Sequence, residues 1–548
     1  MNFNKIKIVF SLIVFFMYSC NFPKMKVDSL YYNATVYTVD SVFSVVESFV
    51  ADKGMIIDCG KKDELEKKYE FGTKQNLSGQ FVYPGFNDAH CHFYSYAKNN
   101  EFEVNLKNCL SFDEVITRLI NFQKEHNYFW ISGRGWDQND WSDKQFPEKE
   151  KLDELFPENP IVLLRIDGHA VLANNKALEI SGIDEKTKFS GGEVVLKNGI
   201  MTGLLLEKAA DFMKDKVAPP DSKQKAEALL KAQNDCFAAG LTSITDAGLI
   251  REIVLLYDSI QKSGSLKLRI NAMLDPNNEN FEKFVKNGVY KTERLRVGTI
   301  KMYTDGALGS RGACLLKPYS DDSENSGMIV EKMEFYNNIC KLALDNNYQL
   351  STHAIGDSAN RLILDVYAKY LKGKNDLRWR VEHAQIVDKS DIQKFAEYSI
   401  IPSVQATHAT SDMYWAEERL GKERIKNAYC YKELLDQNTW LPNGTDFPIE
   451  EIYPIYTFYA AIARKDEKGY PENGFMPENA LSRKEALQSI TIWPAKASFE
   501  EHVKGSIEKG KVADFVVLNK DIMTIPENEI LKTKVVMTVI NGEIVYKK

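Results

Sequence analysis

After residue 240 the chain repeats one pattern: a short apolar run, then a stretch of helical period. The runs are LTSITDAG (241–248), LKLRINAML (266–274), RVGTIKMYTDG (296–306), YQLSTHAIGD (348–357), RWRVEHAQ (378–385), SIIPSVQAT (399–407) and TWLPNGTDFP (439–448). Amphipathic segments such as EFYNNICKLALDNN and SANRLILDVYAKYL lie between most of them. Strands joined in series by helices pair in parallel, because each crossover returns the chain to run in the same direction. FVYPGFNDAH at 81–90 adds a run at the front, and eight β/α units predict a closed (β/α)8 TIM-like barrel over 81–499.

The flanks read differently. Residues 94–240 separate the first run from the second and carry strand-like stretches of their own, YFWISGRGWD and PIVLLRIDGHAVLAN. They are expected to form a large insertion subdomain after barrel strand one. The segments 28–80 and 511–548 are rich in Val, Ile and Tyr, punctuated by Gly, Asn and Asp. Two strand-rich ends around a different middle predict a small β-sandwich domain built from both termini, 20–80 with 500–548. The opening MNFNKIKIVFSLIVFFMYSC has Lys5 and Lys7, an apolar core from Ile8 to Phe16, then Ser19-Cys20. That is the layout of a signal peptide (1–19) ending in a lipoprotein-type cleavage box, too short to remain as a spanning helix. It predicts export to a bacterial cell envelope and membrane attachment through a lipidated Cys20.

Composition narrows the function classes. A hydrophobic fraction of 44% and a charged fraction of 27% belong to a soluble globular fold. The net charge of −7, with no long basic block, argues against nucleic acid as a partner. The seven cysteines after Cys20 include no C-x-x-C pair, so neither a disulfide framework nor a cysteine zinc site is expected. Nothing in the sequence speaks to oligomeric state.

Histidine is scarce, eight in 548 residues, yet His90 and His92 end the first run one residue apart. In a strand, i and i+2 share a side, so these two imidazoles face together and can share a metal ion. Lys301 lies in the fourth run, His353 ends the fifth, His383 the sixth and Asp446 the eighth. Strand C-termini of a parallel barrel converge on one rim, so these six residues are expected to meet there as a metal site.

The motifs also resemble a known family. LYYNATVYTVD, VYPGFNDAHCHF, ISGRGWDQNDW, LLRIDGHAVLANNKAL, IKMYTDGALGSRGA, LSTHAIGD, VEHAQ, NGTDFP and GSIEKGKVADFVVL run in the order seen in the amidohydrolase superfamily. Within it they resemble amidohydrolase family 3, which includes N-substituted formamide deformylase, across nearly the whole chain. The resemblance implies a metal-dependent hydrolase of non-peptide carbon–nitrogen bonds in a small-molecule substrate: amide, N-formyl or cyclic amide. It implies one or two divalent ions, Zn²⁺ first among them. His90 and His92 would bind the more buried ion, His353 and His383 the second, and Lys301, carboxylated by CO₂, would bridge them. Asp446 would bind metal and move protons, and His383 would join it as a catalytic group. Trp136 and His169 become pocket candidates, although tryptophans in GRGWDQNDW also suit an ordinary core. Asp305 and Arg311 follow strand four. Arg311 would meet a substrate carboxylate, or Asp305 in a structural ion pair. The competing readings are a mononuclear deaminase or deacylase on the same scaffold, and a non-catalytic metal-binding lipoprotein.

Overall fold

Seven parallel strands form the centre of the protein: Phe86–Cys91, Leu241–Leu249, Arg269–Leu274, Leu295–Tyr303, Gln349–Ala354, Arg380–His383 and Ile401–Ser403, hydrogen-bonded in that order. The computed structural model describes residues 24–548, so the expected signal segment and Cys20 lie outside the described residues. Every residue of Phe86–Cys91 and Arg269–Leu274 is buried, as a parallel strand covered on both faces requires. The intervening helices explain the cover. Met333–Asp345 buries Tyr336, Ile339, Cys340 and Ala343, an i, i+3, i+4, i+7 stripe turned to the sheet. The result is a nearly closed TIM-like barrel.

Two expected strands come out differently. The run at 81–90 is split at Gly85: Tyr69–Pro84 belongs to the terminal sheet and Phe86–Cys91 to the barrel. A Cβ on residue 85 would stand 2.3 Å from the Thr242 hydroxyl, so only glycine lets the chain cross there. The eighth run, 439–448, is not a regular strand. It closes the barrel through single contacts: Asn443 bridges Val404, Asp446 N–H donates to the His90 carbonyl at 2.8 Å, and His92 N–H to the Phe447 carbonyl at 2.8 Å. Pro442 has no N–H to give to a ladder, and Asp446 sits at φ +62°, outside strand geometry.

The two ends of the chain share one seven-stranded sheet. Met25–Tyr37, Val45–Asp52, Met55–Gly60 and Tyr69–Pro84 pair through the last of these strands, in register with Phe515–Leu518, followed by Val535–Ile540 and Glu543–Lys547. The sheet folds over on itself. Phe49 and Phe515 lie three strand positions apart, about 14 Å in a flat sheet, yet their ring centroids are 5.0 Å apart. Met55 also bridges Val512. The sandwich is thus one curled sheet rather than two separate ones. A buried ion pair, Arg269 Nε to Asp514 at 2.6 Å, ties it to the barrel.

The insertion carries a separate six-stranded sheet: Glu103–Asn105, Ile131–Trp136, Ile161–Arg165, Ala170–Ala173, Gly192–Lys197 and Ile200–Glu207. It packs apolar side chains on both faces.

Candidate active site

His90 and His92 stand at the end of the first barrel strand, and His92 is also the N-cap position of the helix Phe93–Phe102. The His90 ring is 5.5 Å from His92 and 5.1 Å from His383, and His383 is 4.5 Å from His353. Asp446 completes the group, with Oδ1 3.3 Å from His92 Nε2 and 3.7 Å from His90 Nε2. One ligand atom each of His90, His383 and Asp446 fall within 4.8 Å of one another. Lys301 lies buried beside them, its ammonium 5.0 Å from the Tyr303 ring centroid. Tyr303 in turn is 5.6 Å from His353.

The polar atoms test whether a metal fits. His90 Nε2, His353 Nε2, His383 Nδ1 and Asp446 Oδ1 are all buried without a hydrogen-bond partner. Buried polar atoms are nearly always paired, so these orphans, three of them on the converging residues His90, His383 and Asp446, mark a place built for a cation. Imidazole and carboxylate donors suit zinc, manganese or iron.

The surroundings prepare these ligands. Glu382 Oε2 accepts from His90 Nδ1 at 2.5 Å, and Glu382 is itself held by Arg380 Nε at 2.7 Å and by the Ser351 hydroxyl. With the proton kept on Nδ1, His90 Nε2 presents its lone pair to the cluster. His92 Nδ1 donates to the Ala247 carbonyl at 3.2 Å, which does the same for its Nε2. Burial, helped by Lys301, pushes His90 down to about 4 and His353 down to about 3. Burial and the neighbouring imidazoles hold His383 well below its ordinary value. All three are therefore neutral at pH 7, the form that ligates metal. Burial lowers Lys301 to about 8, against the pull of Glu382 and Asp446. Burial opposes ionisation of Asp446, but His92 and the other imidazoles around it keep its carboxyl below the usual range.

Carboxylates fix three of the segments that carry cluster residues. Asp88 accepts from Thr445 Oγ1 at 2.7 Å and from the His90 N–H at 3.0 Å, anchoring the segment before Asp446 to strand one. Asp246 accepts from Phe93 N–H at 2.8 Å and Tyr257 O–H at 2.6 Å, seating the helix that follows His92. Asp305 accepts from the N–H groups of Cys314, Ile355 and Gly356 at 2.8, 3.0 and 2.8 Å.

Those contacts revise the expected pocket. Asp305 spends both oxygens on the backbone beside His353, with Oδ1 also 3.5 Å from His353 Nε2, and so pins that loop. Arg311 pairs with Asp321 (3.1 and 2.9 Å), which also receives Arg419, and not with Asp305. Trp136 is 1% exposed in the insertion core, its indole N–H donating to the Leu163 carbonyl at 2.9 Å. An amphipathic ring in a strand whose inner face is already apolar packs inward, and the structure does not bring it to the cluster. His169 is 66% exposed and pairs with Glu207 at 3.1 Å, also away from the cluster.

Two residues of the site escaped the sequence reading. His408 Nε2 is 3.4 Å from Asp446 Oδ2, and its ring lies 5.8 Å from His383. It follows the seventh strand in SVQATHAT, so the strand-end rule applied to the other histidines would have found it. Glu382 had no such signal. Regular alternation would turn residues 382 and 383 to opposite sides. His383 at φ +72° breaks that alternation, and both reach His90.

The profile described as Amidohydrolase family matches residues 75–546. The chain is 31% identical over 513 residues to Protein LONG AFTER FAR-RED 3 of Arabidopsis thaliana, covering 90% of this chain and 87% of that one. It is 26% identical over 550 residues to N-substituted formamide deformylase of Arthrobacter pascens, covering 95% and 98%. Among solved structures it is similar to an uncharacterized metal-dependent hydrolase of Pyrococcus horikoshii OT3, at TM-score 0.78 and 27% identity over 91% of this chain and 99% of that one.

Proposed function

The chain belongs to the amidohydrolase family, and from that premise we propose that it hydrolyses a carbon–nitrogen bond of the amide type (amide, N-formyl or cyclic amide) in a small molecule. The observation that carries the reading is the set of buried, partnerless ligand atoms on His90, His353, His383 and Asp446. The likeness to a formamide deformylase supports the bond type.

His90, His92 and Asp446 would hold one divalent ion, and His353 with His383 a second, Zn²⁺ being the first choice. When bound, such an ion acts as a Lewis acid and lowers the pKa of water toward neutrality. Asp446 accepts the proton of the nucleophile and returns it to the leaving nitrogen, since its carboxylate lies among the ligands and is ionised at neutral pH. Glu382 and Arg380 hold His90 in orientation throughout. Lys301 as a free ammonium would be repelled by neighbouring dications and has no lone pair to give. Its amine adding to CO₂, with loss of one N–H proton, would make an anionic carbamate able to help hold the ions. Export and lipid attachment at Cys20 are part of the same proposal, supported by the N-terminal charge and hydropathy pattern. Among the described residues no helix is long and apolar enough to cross a membrane.

The test is metal content per chain, measured beside Lys301→Ala, with turnover of N-formyl, amide and cyclic-amide panels. Two ions in the wild type, fewer in the variant, and hydrolysis of one panel is the expected result. One ion in both forms removes the bridge and leaves a mononuclear deaminase or deacylase. Full metal with no turnover of any panel leaves a metal-binding protein without this catalysis.

A further inference from the structure

Between barrel and insertion lies a cavity of about 740 Å³ that the metal site does not use, since none of His90, His353, His383 and Asp446 lines it. One wall is the helix Phe93–Phe102, where Tyr94, Lys98 and Phe102 recur every fourth residue and so share a face. The facing wall is the insertion sheet. Ser132 and Arg134 alternate along one strand, Val162 and Leu164 along the next, and all four project to the cavity side. Their in-between neighbours Ile131, Ile161 and Leu163 fill the core on the other side of the sheet. Tyr128, Phe129 and Trp130 add three aromatic rings in sequence, with Phe129 left 58% exposed.

The charges in this cavity do not balance. Lys98 is paired with Glu103 at 3.3 Å, Lys225 with Glu252 at 2.6 Å and Lys214 with Asp211 at 2.9 Å. Arg134 is the lining cation left without a carboxylate partner among the described residues. A cavity lined by both a guanidinium fork and aromatic rings suits a flat acid, whose two oxygens meet the fork while its ring lies on the aromatics. The volume lies within the range of roughly 300–1,000 Å³ usual for small-molecule sites.

We propose that this cavity is a second binding site, separate from the metal cluster, for a small aromatic carboxylate held by Arg134. The bound acid rests on the helix that His92 caps, which places it at the junction between insertion and barrel.

The test is direct titration of the metal-stripped protein with 2-naphthoate, followed by calorimetry and tryptophan fluorescence, with Trp130 in the wall as reporter. Stripping the metal keeps the carboxylate from binding at the cluster. Saturable binding is expected, weakened about tenfold or more by Arg134→Ala or by the neutral isostere 2-naphthylmethanol, and only partly kept by Arg134→Lys, which retains the charge but not the fork. Arg134 is exposed on a strand, so its variants should fold normally. Absence of saturable binding, equal affinity for the neutral isostere, or indifference to Arg134→Ala would each overturn the proposal. The readout needs neither metal nor turnover, so it stands or falls apart from the amidohydrolase reading.

Discussion

The cluster works through side chains that are themselves held. Glu382 joins the cluster through His90, and its 2.5 Å contact decides which nitrogen of that ring is free. Glu382→Gln keeps the shape and weakens the hold, so metal affinity should fall about 10- to 100-fold in a chelator competition assay. Asp305 gives a pH signature. Burial raises its carboxyl from an ordinary 3.8 to about 7, against three backbone N–H bonds. The folded protein then binds a proton on Asp305 that the unfolded chain has already lost. Stability from this group is full at low pH and is lost as pH rises from about 4 through about 7. In the metal-stripped protein, the melting temperature of the wild type relative to Asp305→Asn should fall across that window. A flat difference would show that Asp305 stays ionised.

At the scale of elements, the closing segment 441–447 matters most. It brings Asp446 to the histidines without being a strand, held by Asp88 and by the His90 backbone. Gly444 makes that approach possible, because a Cβ there would stand 2.5 Å from the His90 N and 2.7 Å from its carbonyl oxygen. Gly444→Ala should push the segment off strand one. Stability should drop by about 1–3 kcal/mol in urea unfolding, and metal uptake should fall with it. Metal uptake equal to wild type would show that the segment moves without carrying Asp446. The seven regular strands were legible as apolar runs, because a strand buried on both faces must be apolar along its length. The eighth was read as a strand because its composition is apolar enough. Pro442 and the left-handed Asp446 decide otherwise.

Over the whole molecule, the terminal sheet and the barrel meet through charge as well as apolar packing. Arg269 and Asp514 are both buried at that junction, and Asn541 and the Glu293 carbonyl share the guanidinium. Asp514→Ala leaves the guanidinium short of its counter-charge and should cost about 3–5 kcal/mol. Calorimetry should then show an earlier transition, and one unchanged from wild type would mean that water replaces Asp514 freely. The order of the strands, the union of the two termini in one sheet and the meeting of His90, His92, Lys301, His353, His383 and Asp446 were all readable from the sequence. They follow from periodicity and from the rule that parallel strands end on one rim, and both are local properties summed along the chain. The rest was not local. Whether Trp136 faces a pocket or a core, which acid Arg311 meets, and whether His169 reaches the rim depend on how the insertion packs, which no run of neighbours encodes. Glu382 entered the site through one backbone angle at His383. The sequence by itself determined the scaffold and the donors it offers. Only the tertiary structure decided which side chains hold those donors in place, because burial and pairing are made between segments hundreds of residues apart.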